Sequence, residues 1–155
     1  MHEELPGRGR ERRPPEHRAL PRVLSAHGAD RPQRSHAARP WRFLHRPAND
    51  DWASAQNGSG TDSVIAWNST DTRPMSDGTP RDPCAQLYHE MAHALDMSRG
   101  TLDLHWCRGA PRIQTDEVVA VFAENAYRSY RNLPTRTAYG TESGPAKLPD
   151  SVDDC

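Results

Sequence analysis

The segment His89-Glu90-Met91-Ala92-His93 combines residue types that can hold a divalent metal and move a proton. Histidines four residues apart lie on one face of an α-helix, one turn apart, so both imidazoles can reach the same ion. Glu90 lies about 100° around the helix from His89, so its carboxylate can reach a water molecule beside that ion without being a ligand. It can accept a proton from the water and pass it to a leaving amine. The pattern predicts His89 and His93 as zinc ligands and Glu90 as the catalytic base.

A third protein ligand is needed, because catalytic zinc normally has three such ligands and a water. The metzincin pattern does not supply it, since Asp96 and Arg99 stand where that pattern requires glycine and histidine. We expect Glu117 to be the third ligand, because it lies on a second predicted helix and Ala120, three residues later, would let the two helices approach closely. Three alternatives stay open: Glu124, which shares the helix face of Glu117, and Asp116 and His105.

Local signals place the two histidines on a well-bounded helix. Asp82 is a good N-cap, Pro83 suits the first helical position, and Gly100 is a natural stop after the last turn. Apolar residues recur at helical spacing between these bounds and predict one buried apolar face. They are Leu87, Met91, Ala94 and Leu95.

The second helix is predicted to begin at Thr115 as the N-cap and to end near Arg131, with two acids in its first turn, where the helix dipole favours negative charge. Residues 101–114 are predicted to be a loop. Upstream, residues 57–60 form a strong turn signal, and the alternating, β-branched stretch 62–67 predicts a strand.

Charge is distributed unevenly along the 155 residues. Residues 1–48 contain eleven Arg, no Lys and five acids, a net charge of +6, whereas the rest of the chain carries −7. The first segment is also rich in proline and lacks a hydrophobic period, so we predict a disordered head over 1–48. A zincin-like domain over 49–140 would hold the whole core, followed by an acidic tail over 141–155. The fold class predicted is α+β, with a small edge-strand sheet and two helices.

The cysteines and the apolar segments indicate whether disulfides, a signal peptide or a membrane span are expected. With Cys84, Cys107 and Cys155 the count is odd, so three free thiols are expected, and a Cys84–Cys107 bridge is the alternative. The first 20 residues lack the apolar segment of a Sec signal peptide. The sequence contains no run of about 18 apolar residues, so no membrane span is predicted.

Several segments resemble the NleD-like effector metallopeptidases, peptidase family M91. The resemblance covers about residues 50–140 and is carried by Leu87-Tyr88-His89-Glu90-Met91-Ala92-His93-Ala94, Glu124-Asn125-Ala126-Tyr127-Arg128 and Leu133-Pro134-Thr135-Arg136-Thr137-Ala138-Tyr139. It implies a zincin with zinc on His89, His93 and Glu117 and with Glu90 as the base. It also implies a bacterial effector or toxin, secreted or delivered into a target cell by a specialised system.

Five further residues and one segment are candidates around this site. Tyr139 could donate a hydrogen bond to the oxyanion of the transition state, or else pack near the core. Asp96 and Glu124 could accept a hydrogen bond from a ligand histidine. Arg128, like Arg136, could bind an acidic substrate, although salt bridges within the acidic body are the favoured interpretation. Residues 62–67 could pair with an extended peptide as an edge strand.

The sequence therefore predicts a monomeric zinc-dependent endopeptidase that acts on a protein or peptide. The alternative is an inactive or truncated domain that binds zinc or a partner without turnover. Nucleic-acid binding by the Arg-rich head is the least favoured reading, because that segment lacks Lys and any helical period.

Overall fold

The computed structural model describes residues 44–155, which form an α+β fold. Its strands pair in three separate two-stranded antiparallel sheets: β1 (Leu44–Pro47) with β2 (Ser63–Ala66), β3 (Trp106–Cys107) with β4 (Ala110–Gln114), and β5 (Ala138–Thr141) with β6 (Gly144–Lys147). Its α-helices are α1 (Trp52–Gln56), α2 (Pro83–Arg99) and α3 (Thr115–Tyr130). No helix in this part of the chain has the length and apolar character needed to cross a membrane.

Helix α2 has the bounds that its capping residues predict. The Asp82 side chain accepts a hydrogen bond from Ala85 N at 2.8 Å, and Pro83 is the first helical residue. Gly100 ends the helix in the left-handed conformation, with φ of 72°. The backbone of Gly58 comes so near that a Cβ on Gly100 would lie 2.6 Å from Gly58 N. The predicted 57–60 turn thus lies against the end of α2, and its position requires glycine at 100.

The face that α2 buries mixes polar with apolar residues, and of the four predicted apolar positions only Ala94 is buried. Met91 and Leu95, predicted to be buried, are 47% and 44% exposed. Helix α2 instead turns its histidine face towards α3, where acidic side chains compensate the buried imidazoles. The residues buried by α2 are Ala85, Gln86, His89, Glu90, His93, Ala94 and Met97.

Helix α3 begins one residue earlier than predicted. Thr115 is its first residue rather than its N-cap, because the Thr115 backbone N–H and hydroxyl both donate to His105 O. Gln114 occupies the cap position without a side-chain hydrogen bond. The segment 101–114, predicted to be a loop, contains the strands β3 and β4 that lead directly into α3.

The core extends beyond residue 140, so the prediction that 49–140 holds all of it is wrong. Ala146 and Leu148 pack in one buried cluster with residues of β3, β4 and α3. A disulfide joins Cys107 to Cys155, 48 residues apart. Cys84 is exposed and free, which corrects both expectations for the cysteines. The pairing depends on tertiary structure, because the fold brings Cys155 next to Cys107 beside this cluster.

The last residues of the predicted head also belong to the fold. Strand β1 pairs with β2 in the register His45 opposite Ile65, and Ala48 N donates to Asp62 O at 2.7 Å. The predicted strand at 62–67 is therefore confirmed as β2. The remainder of the head lies outside the described residues.

Candidate metal centre

Two histidines of α2 point at the same position. The Nε2 atoms of His89 and His93 are 3.3 Å apart, and their ring planes are inclined by 72°. Both side chains are buried. The lone pair of each Nε2 atom lies in the plane of its own ring. Because the two ring planes cross, both lone pairs can point at one ion.

Glu117, in the first turn of α3, completes a triangle of donor atoms. Its Oε2 atom lies 3.1 Å from His89 Nε2 and 3.5 Å from His93 Nε2. Tetrahedral zinc with bonds of about 2.0–2.1 Å has ligand atoms about 3.3–3.4 Å apart. The triangle therefore fits a zinc ion on chemistry and on spacing, since two imidazoles and one glutamate are a donor set of catalytic zinc sites.

A second group of nearby ligand atoms consists of His45, Glu90 and His93. The His45 and His93 rings stack almost parallel, 13° apart in plane and 3.8 Å apart in centroid. Imidazole nitrogens bind metals within the ring plane, so an ion in the plane of one ring would lie well outside the plane of the other. The second group is therefore a poor metal site, and the triangle with Glu117 is the better one.

Carboxylates also lie behind both histidines. Glu124 Oε2 is 3.3 Å from His89 Nδ1, and Asp116 Oδ2 is 3.5 Å from His93 Nδ1. Neither contact has hydrogen-bond geometry, so both Nδ1 atoms and Asp116 Oδ1 are buried without a hydrogen-bond partner. A cation on the Nε2 atoms would leave each proton on Nδ1, facing these acids. The unpartnered atoms thus favour a metal at the triangle.

The acids shape the charge of the site. Burial lowers the pKa of His89, but the nearby carboxylates of Glu117 and Glu124 raise it, to about 9 overall. Burial raises the pKa of Glu117, but contact with the two histidines holds it well below the usual range. Burial, with the nearby charge of Glu117, raises the pKa of Asp116 to about 7. For His93, burial prevails and lowers the pKa. Glu117 therefore stays ionised at neutral pH, as a metal ligand must.

Glu124 is anchored by two buried arginines. Arg128 Nε donates to Glu124 Oε1 at 2.7 Å, and Arg136 Nη1 donates to Glu124 Oε2 at 2.9 Å. Burial raises the pKa of Glu124, but His89 and Arg136 lower it, to about 2 overall. Arg136 is itself fixed by Asp77 and by reciprocal bonds between its backbone and the Asn125 amide. Both arginines therefore form internal salt bridges, as favoured by the sequence.

Glu90 lies beside the triangle and is 3% exposed. Its Oε2 atom is 2.9 Å from His45 Nδ1, and its Oε1 atom accepts from Gln86 Nε2 at 3.3 Å. The contact with His45 was missed, because that residue lies in the segment assigned to the head. The alternation of Phe43, His45 and Pro47 with arginines at 42 and 46 is the weak strand signal that could have found it.

Of the other candidate residues, Tyr139 lies at the site, whereas Asp96 and His105 make contacts elsewhere. The Tyr139 ring lies parallel to that of His89, with the centroids 6.5 Å apart, and near the Glu117 carboxylate; burial raises the pKa of its hydroxyl, which stays protonated and able to donate. The Asp96 carboxylate accepts a hydrogen bond from the Thr101 hydroxyl at the end of α2, rather than from a ligand histidine. His105 has an exposed side chain that contacts Asp103, and it joins neither group of converging ligands in residues 44–155.

A groove of about 500 Å³ opens next to the triangle. Glu117, Tyr139 and Trp106, which is 64% exposed, are among the residues that line it. The groove is large enough for side chains of a peptide.

Together, the paired histidines, the glutamate on the facing helix and the adjacent Glu90 form a site of the metallopeptidase type. The family model of the M91 peptidases, described as effector protein, matches residues 26–121, and the chain belongs to this family. It is thus a metallopeptidase-type effector. The matched range includes the triangle and Glu90 but ends before Glu124, and it begins within the predicted head. No curated protein and no solved structure matches the chain.

Proposed function

We propose that this effector is a zinc-dependent endopeptidase with a zincin-like site. His89, His93 and Glu117 would hold the metal, and Glu90 would be the general base. The observation that carries the proposal is the triangle of donor atoms, with sides of 3.1, 3.3 and 3.5 Å.

Bound zinc would make a water molecule more acidic and polarise the scissile carbonyl. The Glu90 carboxylate would take the proton from that water as it attacks and deliver it to the leaving amine, so that one group serves as base and then as acid. The hydrogen bond that Gln86 donates to Glu90 Oε1 would help to orient the carboxylate during these transfers. Tyr139, held protonated, would donate to the developing oxyanion.

The proposed substrate is a protein or peptide segment that crosses the groove beside Glu117 and Tyr139. Backbone pairing with the edge of β2 remains a prediction for the extended part of the substrate. Within residues 44–155, β2 pairs with β1 alone, so one of its edges has no strand beside it. We further propose that the protein works as a monomer, after delivery into a target cell.

The decisive test compares Glu90→Gln with the wild type. Each full-length protein is incubated with a mixed peptide library, new N-termini are identified by mass spectrometry, and zinc is measured in the same samples. We expect zinc to be retained and cleavage to fall by about 10²–10⁴-fold, the usual contribution of a general base. Asp150 provides a control, because its side chain is 95% exposed and does not line the groove, so Asp150→Asn removes one negative charge away from the site.

Cleavage by Glu90→Gln at the wild-type rate would make the mechanism wrong. One zinc per chain, with no cleavage of any library peptide by the wild type, would support the alternative of an inactive zinc-binding domain.

A further inference from the structure

His45 makes two contacts with the residues of the proposed active site, although it lies 45 residues from Glu90 in sequence. Its Nδ1 atom is 2.9 Å from Glu90 Oε2. Its ring stacks on His93 with the centroids 3.8 Å apart. One side chain therefore touches both the base and a ligand.

We propose that His45 is a positioning residue for the proposed peptidase reaction: it orients the Glu90 carboxylate by donating from Nδ1. The inference rests on the proposed function, since it gives His45 a task through Glu90. It assigns no metal ligation to His45, because the parallel rings of His45 and His93 cannot both direct a nitrogen at one ion.

The two oxygens of Glu90 show why such a residue is needed. Gln86, one turn earlier on α2, holds Oε1 at 3.3 Å, a long hydrogen bond. His45 holds Oε2 at 2.9 Å and is the shorter contact. A carboxylate with a single partner can rotate about its terminal bond, whereas two partners on different elements fix its plane. The orientation of the base therefore depends on a residue outside the helix that carries it.

The pairing of β1 with β2 fixes the position of His45. It stands opposite Ile65 in the β1–β2 ladder, with its side chain on the inner face and Arg46 on the outer face. A shift of one residue in this register would turn His45 outwards and bring Arg46 against Glu90. The histidine side chain is 19% exposed, whereas that of Glu90 is 4% exposed, so His45 shields the carboxylate from solvent on this side.

Two substitutions separate the two contacts of His45. His45→Phe keeps a ring that can stack on His93 but removes the donor. His45→Asn removes the ring but keeps a donor near the position of Nδ1. The matched control is His105→Phe, because His105 also places Nδ1 against a carboxylate, that of Asp103 at 2.6 Å, but on the exposed surface.

The kinetic assay uses a fluorogenic peptide with the sequence that the wild type cleaves best in the library. We expect His45→Phe to lower kcat by about 10- to 100-fold, as misplacement of a catalytic group can do, with KM and zinc content unchanged. His45→Asn should recover most of that loss, and His105→Phe should equal the wild type. Wild-type kcat in His45→Phe, or no recovery in His45→Asn, would overturn the inference. Loss of zinc in both variants would also overturn it, since His45 would then be a ligand.

A second readout does not depend on cleavage. Long-range ¹⁵N–¹H spectra of the zinc-loaded full chain report which imidazole nitrogen carries a proton, and the His45 signals are assigned by their loss in His45→Asn. The inference expects a proton on Nδ1, whereas a free neutral histidine prefers Nε2. His45 with Nδ1 unprotonated would refute the inference even if the wild type cleaves peptides. A wild type that cleaves nothing would refute the proposed function, and the tautomer would still decide the role of His45.

Discussion

Replacing Arg128 by Met tests whether the buried arginine network supports the site as described. Arg128 and Glu124 are one helical turn apart on α3, and their side chains are 1% and 0% exposed. Arg128 also donates to Pro134 O at 3.1 Å and to Pro80 O at 3.2 Å. The substitution removes the guanidinium but keeps most of the apolar stem.

The expected loss of unfolding free energy follows from the buried groups that lose Arg128 as a partner. Removing one partner of a buried ion pair costs about 3–5 kcal/mol, because the other charge remains buried. The two carbonyls would also lose their donor. Arg136 still binds the second oxygen of Glu124, which limits the cost. We therefore expect Arg128→Met to lower the free energy of unfolding by about 4 kcal/mol, a large part of the 5–15 kcal/mol or so typical of a domain.

The assay is urea unfolding of the full chain at pH 7 with EDTA, followed by circular dichroism. Arg46→Met is the matched control, because Arg46 and Asp50 also form an i,i+4 pair, but with side chains 58% and 70% exposed. We expect it to change stability by less than about 1 kcal/mol. Should Arg128→Met not fold, Arg128→Lys keeps the charge with fewer donors and should fall between the two. Equal losses for Arg128→Met and Arg46→Met would refute the reasoning.

Further predictions concern the disulfide, the acid behind His89 and the metal. Cys155→Ser should lower the free energy of unfolding in urea by about 4 kcal/mol, the chain-entropy value for a loop of 48 residues, whereas Cys84→Ser should change it little; similar effects would contradict the Cys107 pairing. Glu124→Gln should weaken zinc binding by about 10- to 100-fold in competition titrations, because it perturbs the group behind His89; unchanged affinity would exclude that role. EDTA should lower the Tm, and zinc but not magnesium should restore it; an unchanged Tm would argue against a bound metal.

The parts of the site that depend on neighbouring residues could be read from the sequence. Asp82, Pro83 and Gly100 bound α2 through contacts within a few residues, so the helix and its register were predictable. The spacing of His89 and His93 then fixes their common face. Glu117 was favoured over other acids, and the structure places it at the histidines, although the sequence could not measure that approach.

The parts that depend on tertiary contacts could not be read in this way. His45 reaches Glu90 only because β1 pairs with β2, and its flanking residues resemble the Arg-rich head. The partner of Cys107 is set by where residue 155 folds back, not by spacing. Met91 was assigned to the core from its periodicity, but α2 turns its histidines inwards instead, because acids of α3 compensate them there.

Zinc analysis of purified full-length Glu117→Gln beside the wild type tests the central claim most directly. Glu117 is the one proposed ligand that does not come from the α2 motif, so it tests the meeting of the two helices. The account predicts about one zinc per chain in the wild type and in His105→Ala, and little or none in Glu117→Gln, because catalytic sites require three protein ligands. Equal zinc in Glu117→Gln and the wild type would contradict it.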